Sequence, residues 1–346
     1  MRGPSSAPPV AALLAGLLSL ALTGCAPGPP APDPGPAVVG AVVTEEQERT
    51  IIGRVAASLE KATAERDPAA LEARTTGPAR ELRASQLEVA RLLADDDRVT
   101  DLPMTMQSVV LPAEPGWPRT SLAVSTSPGR GAAPVLYAFE QRLARGDYKL
   151  WAWAKLLRGE TLPRFASSEA GAARVPADDE ESLTMSPAQA VAAYADVLSE
   201  GADSAFADRI QDDEFRVLLR EQEAAQRETD DWRASDGRYS FSARPDRDAA
   251  PRAMRVVDGG AIVMGAIDSS QLIELQECAT IERRSLTETQ RALHGEQRES
   301  NVLRTTFLDV VALYVPAAGS EEQVRLVGVE HVAVDVESTG DLSGCG

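Results

Sequence analysis

Apolar residues recur at three- and four-residue spacing early in each half of the chain, then at alternating or continuous spacing later in each half. Thr44-Glu45-Glu46-Gln47 has the form of a capping box, and beyond it Ile51, Ile52, Val55 and Leu59 share one helix face. Arg66-Asp67-Pro68 breaks that helix, a short helical piece runs through Leu71, and Leu82, Leu87, Val89, Leu92 and Leu93 predict an amphipathic helix from about Pro78. The order starts again at Ser186-Pro187-Ala188-Gln189, a second capping box with proline at the first helical position. Val191, Tyr194 and Val197 follow at helical spacing. Gly201-Ala202-Asp203 marks the break, Phe206 sits in the short piece, and Phe215, Val217, Leu218 and Leu219 begin the next helix.

Strand-like sequence follows each helical part. The first half offers Met104 to Leu111, Thr120 to Ser125 and Val135 to Leu157, the last folded into a hairpin at Arg145-Gly146-Asp147. The second half offers Tyr239 to Ala243, Ala253 to Val257, Ala261 to Ile267, Leu272 to Leu275, Thr305 to Val315 and Val324 to Val336. Helices first and antiparallel strands after predict an α+β fold, with helices packed on a curved sheet. Ala166 to Glu181 has the composition of a linker between the halves, and Arg283 to Asn301 reads as an exposed polar excursion between strands.

That element order resembles the cone-shaped fold of the nuclear-transport-factor superfamily, also called cystatin-like. Val55 to Leu93 followed by Met104 to Leu157 carries the resemblance once, and Val191 to Gln226 followed by Tyr239 to Val336 carries it again. It implies two tandem cystatin-like domains, at 44–165 and 186–346, joined by a linker at 166–185. The second half, through Leu313-Tyr314-Val315-Pro316 and Val327-Gly328-Val329, also resembles tandem-domain lipoproteins of high-GC Gram-positive bacteria without assigned activity.

The N-terminus gives the most specific signal. Arg2, an apolar run from Val10 to Leu22, small residues and Cys25 resemble a bacterial lipoprotein precursor, with Leu22-Thr23-Gly24-Cys25 as the lipobox. The resemblance implies a signal peptide at 1–24, lipidation of Cys25 and anchorage on the extracytoplasmic face of the cell membrane. A spanning helix needs roughly 20 apolar residues, and Pro27, Pro29 and Pro30 stop this run short. Ala26 to Pro36 is almost wholly Pro, Gly and Ala, and 25–43 reads as an extended stalk.

The chain carries 35 basic and 53 acidic residues, a net charge of −18. Such a balance argues against nucleic acid as a partner and leaves the lipid as the tether to the membrane. With Cys25 acylated, Cys278 and Cys345 are the one possible disulfide pair; the alternative is a buried thiol and a free C-terminal one.

No HExxH, GxSxG, GxGxxG or P-loop pattern occurs, and Ser58-Leu59-Glu60-Lys61 matches SxxK without the companion motifs of penicillin-binding enzymes. The acidic runs at Asp95 to Asp97, Asp178 to Glu181, Asp212 to Glu214 and Asp230-Asp231 lack EF-hand spacing, and neither a metal nor a cofactor is expected. His294 and His331 are the two histidines; His331, in a strand, reads as a satisfied or exposed side chain rather than a base. Tyr137 with Phe139, and Trp151 with Trp153, alternate along the hairpin and place each pair on one sheet face. They line a pocket for a small apolar ligand if that face is concave, or pack beneath the helices if it is not. The expectation is a non-enzymatic surface lipoprotein that binds a small apolar ligand or an envelope protein. The alternatives are an envelope enzyme of cyclase or isomerase type, with one cone as its active site, and a structural assembly or spacer module.

Overall fold

In a computed structural model, residues 40–346 are described apart from 128, 130–132, 229, 236, 341, 343 and 346. The signal segment, Cys25 and most of the stalk lie outside the described residues. Thr44 opens α1 (Glu45–Glu65) with both bonds of its capping box: Gln47 N donates to Thr44 Oγ1 at 3.2 Å, and Thr44 N donates to Gln47 Oε1 at 2.9 Å. Asp67 caps a single 3-10 turn at Pro68–Leu71, and α2 spans Gly77–Leu93. Ser186 repeats the capping box for α3 (Pro187–Glu200), and Asp213 accepts from Arg216 N to start α4 (Glu214–Arg227). A short α5 (Asp230–Ser235) and α6 (Glu288–His294) complete the α-helices among the described residues.

The strands are β1 (Met106–Val110), β2 (Arg119–Ser125), β3 (Val135–Gln141), β4 (Lys149–Leu156), β5 (Arg174–Val175), β6 (Arg238–Pro245), β7 (Arg252–Arg255), β8 (Ala261–Glu274), β9 (Val302–Val315) and β10 (Arg325–Ser338). They form one antiparallel sheet ordered β1-β2-β3-β4-β10-β9-β8-β7-β5, with β6 beside the far part of β8. The α+β class matches the expectation. Two strands expected at Ala261 to Ile267 and Leu272 to Leu275 are one, because Ser269, Ser270 and Gln271 keep the ladder going opposite Phe307, Thr306 and Thr305.

The expected division into separate halves is not what the tertiary structure shows. Val39–Gly346 is one compact unit, and β4 joins β10 at Leu156↔Gly328 and Lys155↔Val329. The residues expected as a linker pack into the body. Val175 is buried and pairs with Ala253, while Asp179 accepts from the hydroxyl of Ser182 and from Arg255. The last stalk residues do the same, with Ala41 N donating to Glu169 O, Val42 N to Pro112 O, and Val43 buried. The polar excursion is not an exposed loop either. Ile281 and Leu286 are buried with Leu303 and Val336, and half-buried Leu293 packs against them, which pulls α6 down onto α2 and β10.

Besides the small cluster around Leu303 and Val336, two larger apolar cores share the long strands. Ile262, Met264, Leu308, Val310, Ala312 and Tyr314 belong with α1, α2 and β2–β4, whereas Val263, Ile267, Val311, Leu313 and Val315 belong with α3 and α4. Alternation along a strand sends successive side chains to opposite faces, so β8 and β9 are apolar on both. The approach of α3 is close: a Cβ at Gly265 would lie 2.4 Å from Val191 Cγ2.

Glu48 is a buried carboxyl in the first core. Ser121 Oγ donates to its Oε1 at 2.5 Å, and its Oε2 has no hydrogen-bond partner among the described residues. Burial raises its pKa from 4.5 to about 7, against the lowering effect of the Ser121 bond.

Gly265→Ala is expected to destabilise the protein by about 1–3 kcal/mol in denaturant unfolding, because α3 must shift to admit the methyl. For Glu48 the folded pKa lies above the unfolded one, so its contribution is complete below pH 4.5 and lost as pH rises through about 7. Glu48→Gln should flatten the stability profile across that window and exceed the parent above pH 7 by up to about 3 kcal/mol, as read by urea titrations at several pH values.

Candidate functional site

The face of β8, β9 and β10 under α4 changes character partway along. Val263 and Leu313 pair within the apolar core, and Ile267 pairs with Asp309; beyond them come Ser269↔Phe307 and Gln271↔Thr305. On the other flank His331 pairs with Asp309, and Ala333 with Phe307. Helix α4 changes in step. Phe215, Leu219, Gln222 and Gln226 stand at spacings of four, three and four, which places them on one stripe. The first two are buried in the second core, and the amides continue past it. A polar helix stripe therefore faces a polar stretch of sheet, and between them lies a groove of about 620 Å³, bounded on its other sides by α2, α6 and the edge of β10.

Asp309 sits at the change-over and is fully buried. Ser269 Oγ donates to its Oδ2 at 2.7 Å, and His331 Nδ1 bonds its Oδ1 at 2.5 Å. The imidazole is stacked on Phe307 at 4.2 Å between centroids and touches Phe215 at 5.3 Å, with the rings tilted. With Nδ1 taken by Asp309, Nε2 is the ring nitrogen available to the groove that His331 lines.

The neighbouring carboxylate, Glu330, is also buried. It accepts from Thr100 Oγ1 at 2.6 Å and from Gln86 Nε2 at 3.5 Å, and Lys155 Nζ lies 3.7 Å away. Below it Arg83 donates to Thr100 O at 3.0 Å and lies over the Trp153 ring; burial lowers its pKa to about 10, and the charge of Glu330 opposes that fall. Arg98, at the rim, bonds both Asp95 and Glu288. A second hollow of about 820 Å³ adjoins the groove through Arg98, Thr100 and Lys155, which line both.

Of the two places the sequence leaves open for the hairpin aromatics, a ligand pocket or the core beneath the helices, the structure puts them in the core. Tyr137, Phe139 and Trp153 are fully buried and Trp151 nearly so, packed beneath α1 and α2. Tyr137 stacks with Phe139 at 6.1 Å and donates through its hydroxyl to Pro103 O. A bulge sets Leu150, not Trp151, opposite Phe139 and breaks the alternation on which the expectation rested. Trp151 instead lies beside Arg252 and fills the space at Gly77, whose φ is +54° and where a Cβ would fall 2.8 Å from Trp151 Nε1.

Cys278 and Cys345 are joined by a disulfide that ties the C-terminal tail to the segment after β8. His294 is buried, with Nε2 bonded to Ser338 Oγ at 2.8 Å. Among the described residues no group of three or more His, Cys, Asp or Glu side chains could hold a metal ion, and no helix is long and apolar enough to cross a membrane. Of the acidic runs, Asp95 caps a turn and pairs with Arg98, Asp213 caps α4, and Asp212 pairs with Arg216 and Arg220.

Residues 39–338 match the model of a domain of unknown function, DUF8094, and the chain belongs to that family. It is similar to an uncharacterised lipoprotein of Streptomyces avermitilis, 27% identical over 228 residues, which cover 65% of this chain and 65% of that protein. No solved structure matches.

Removing one partner of a buried pair strands the other. His331→Ala is therefore expected to cost about 3–5 kcal/mol by leaving Asp309 with Ser269 alone. The double variant with Asp309→Ala should be less destabilised than the sum of the single changes, a coupling that a double-mutant unfolding cycle measures directly.

Proposed function

We propose that this DUF8094 protein is an extracytoplasmic lipoprotein, tethered through lipid on Cys25, that captures a ligand in the groove between α4 and the β8–β10 face. The observation that carries the reading is the matched change from apolar to polar on two facing surfaces, Leu219 to Gln222 on the helix and Ile267 to Ser269 on the strand. A core that ends at solvent needs only one wall. Here two polar walls enclose a volume within the range of small-molecule sites, roughly 300–1,000 Å³. The lipobox at Leu22-Thr23-Gly24-Cys25 and the lipoprotein name of the Streptomyces relative support the anchor.

Binding without turnover is the preferred reading because, among the described residues that line the groove, no serine or threonine hydroxyl is bonded to the imidazole of His331. Ser269 donates to Asp309 and not to His331, so its hydroxyl is held by the carboxylate rather than activated by the imidazole. The runner-up, an envelope enzyme with His331 as base, draws its support from the Asp309–His331 bond, which orients an imidazole as general bases are oriented. The repeated order of capped helix, short turn, helix and strands supports a finer reading of the body as two cystatin-like units fused through a shared sheet.

Cys25→Ala should move the protein from the membrane fraction to the medium; retention in the membrane would contradict the anchor. Native mass spectrometry of the parent lipoprotein, purified from its own host in detergent, should show a discrete ligand mass lost on denaturation. A clean apo mass together with turnover of an envelope metabolite would favour the enzyme.

A further inference from the structure

We propose that the groove is a saccharide site, taking a neutral polyhydroxylated chain of more than one sugar ring; the proposal rests on the ligand-capture reading above and names its ligand class. The lining argues for it first. Five glutamines, Gln86, Gln222, Gln226, Gln271 and Gln290, line it from α2, α4, β8 and α6, interspersed with the hydroxyls of threonine and serine; Gln86 is held by Thr100 and Glu330 and Gln290 by Thr287 and Thr305, which fixes those two amides in place beside the others. An amide both donates and accepts, and so does each hydroxyl of a sugar, so such a surface matches a ligand whose every group does both. Gln222 and Gln271 face each other from opposite walls, and neither side chain makes a hydrogen bond among the described residues.

Charge is the second argument. Glu330 and Arg98 each have an oppositely charged partner within the protein, Glu330 in Lys155 and Arg98 in Asp95 and Glu288, while the Asp309 carboxylate is held by Ser269 and His331. An anionic or cationic ligand would have to break one of these pairs and leave a charge uncompensated, a cost a neutral ligand avoids. An acyl chain fits no better. The apolar lining is scattered among the polar groups as Val89, Ala225, Val332, Ala333 and Phe307, among the described residues the one phenyl ring at the groove, with one face covered by His331, a surface that suits the C–H face of a sugar ring better than a lipid tail.

The edge of β10 separates this site from a peptide groove. β4 leaves β10 after Val329, and the strand's outward main-chain groups are then taken by side chains: Ser85 Oγ donates to Ala333 O at 2.8 Å and Gln297 Nε2 to Val336 O at 2.7 Å. Strand alternation turns the N–H and C=O of His331 to that same edge, between Val329 and Ala333. With the Ala333 and Val336 carbonyls taken, the edge offers no unbroken run of main-chain partners, which an added peptide strand needs, and the His331 main-chain pair lies within it. Beside the Nε2 of the same residue, that pair is a fixed polar anchor for a pair of vicinal hydroxyls.

The test uses the full-length lipoprotein in detergent, detected through an antibody rather than amine labelling because Lys155 lines the groove. It is applied to an array holding neutral oligosaccharides, their uronate and phosphate counterparts, and unmodified peptides. Retention of neutral oligosaccharides is expected, with Gln271→Leu and Gln222→Leu each weakening it about ten-fold, the loss of one well-placed hydrogen bond, while the circular dichroism spectrum is unchanged. Neutral-glycan binding indifferent to both variants overturns the placement. Retention of acidic glycans or peptides alone, still sensitive to Gln271→Leu, overturns the saccharide assignment and keeps ligand capture in the groove. No retention of any class, with a clean apo mass by native mass spectrometry, overturns both.

Discussion

Strands β8 and β9 are apolar on both faces, and that double burial is the constraint on which the rest of the structure depends. Val311, Leu313 and Val315 look toward α3 and α4, while Val310, Ala312 and Tyr314 look toward α1, α2 and the first hairpin. Each aliphatic side chain buried this way contributes roughly 1.5–3 kcal/mol. A polar residue at either parity would therefore uncover one of the two helical layers. The two layers cannot separate without exposing strands that both require, which explains why 39–346 is one unit although its two halves repeat the same order of elements.

The groove begins where double burial ends. Past Ile267 on β8 the face under α4 reads Ser269 and Gln271; on β9, Asp309 and Thr305 flank Phe307; on α4 the same stripe reads Gln222 and Gln226. Asp309 marks the boundary. A carboxylate buried at the rim of an apolar core is costly unless it is bonded on both oxygens, and Ser269 and His331 supply those bonds. The price of that arrangement is borne by the strand and returned as a fixed imidazole: Nδ1 is held, the ring is clamped between Phe307 and Phe215, and Nε2 alone meets the groove. Glu330, on the other side of the same strand, is balanced by Lys155 and opposed by the buried Arg83. The charged groups at the site are thus engaged within the protein, which favours recognition by hydrogen bonding over charge.

Local signals in the sequence carried the elements well. The capping boxes at Thr44 and Ser186 form with both of their hydrogen bonds, and the breaks at Asp67 and Gly201 fall where proline and glycine dictate. The groove was hardly legible. Gln222 and Gln226 stand four and eleven residues beyond Leu218 and Phe215 and read as an ordinary solvated helix face, and Gln271 lay between two segments taken for separate strands. The one available signal was the run of Ser269, Ser270 and Gln271 inside a strand long enough to be continuous. His331 reads from the sequence as a satisfied strand histidine, and Asp309 satisfies it; what no local pattern gave was the register that sets the two side by side.

The helices, their caps and most strand positions follow from the chain alone, because each depends on contacts within a few residues. Tertiary structure alone decided that Tyr137, Phe139, Trp151 and Trp153 are core rather than pocket, that 166–185 belongs to the body, and that two halves share one sheet. Those outcomes depend on which faces meet across long separations. A one-residue bulge opposite Phe139 and the pairing of β4 with β10 at Gly328 and Val329 set them, and neither leaves a periodic trace in the chain.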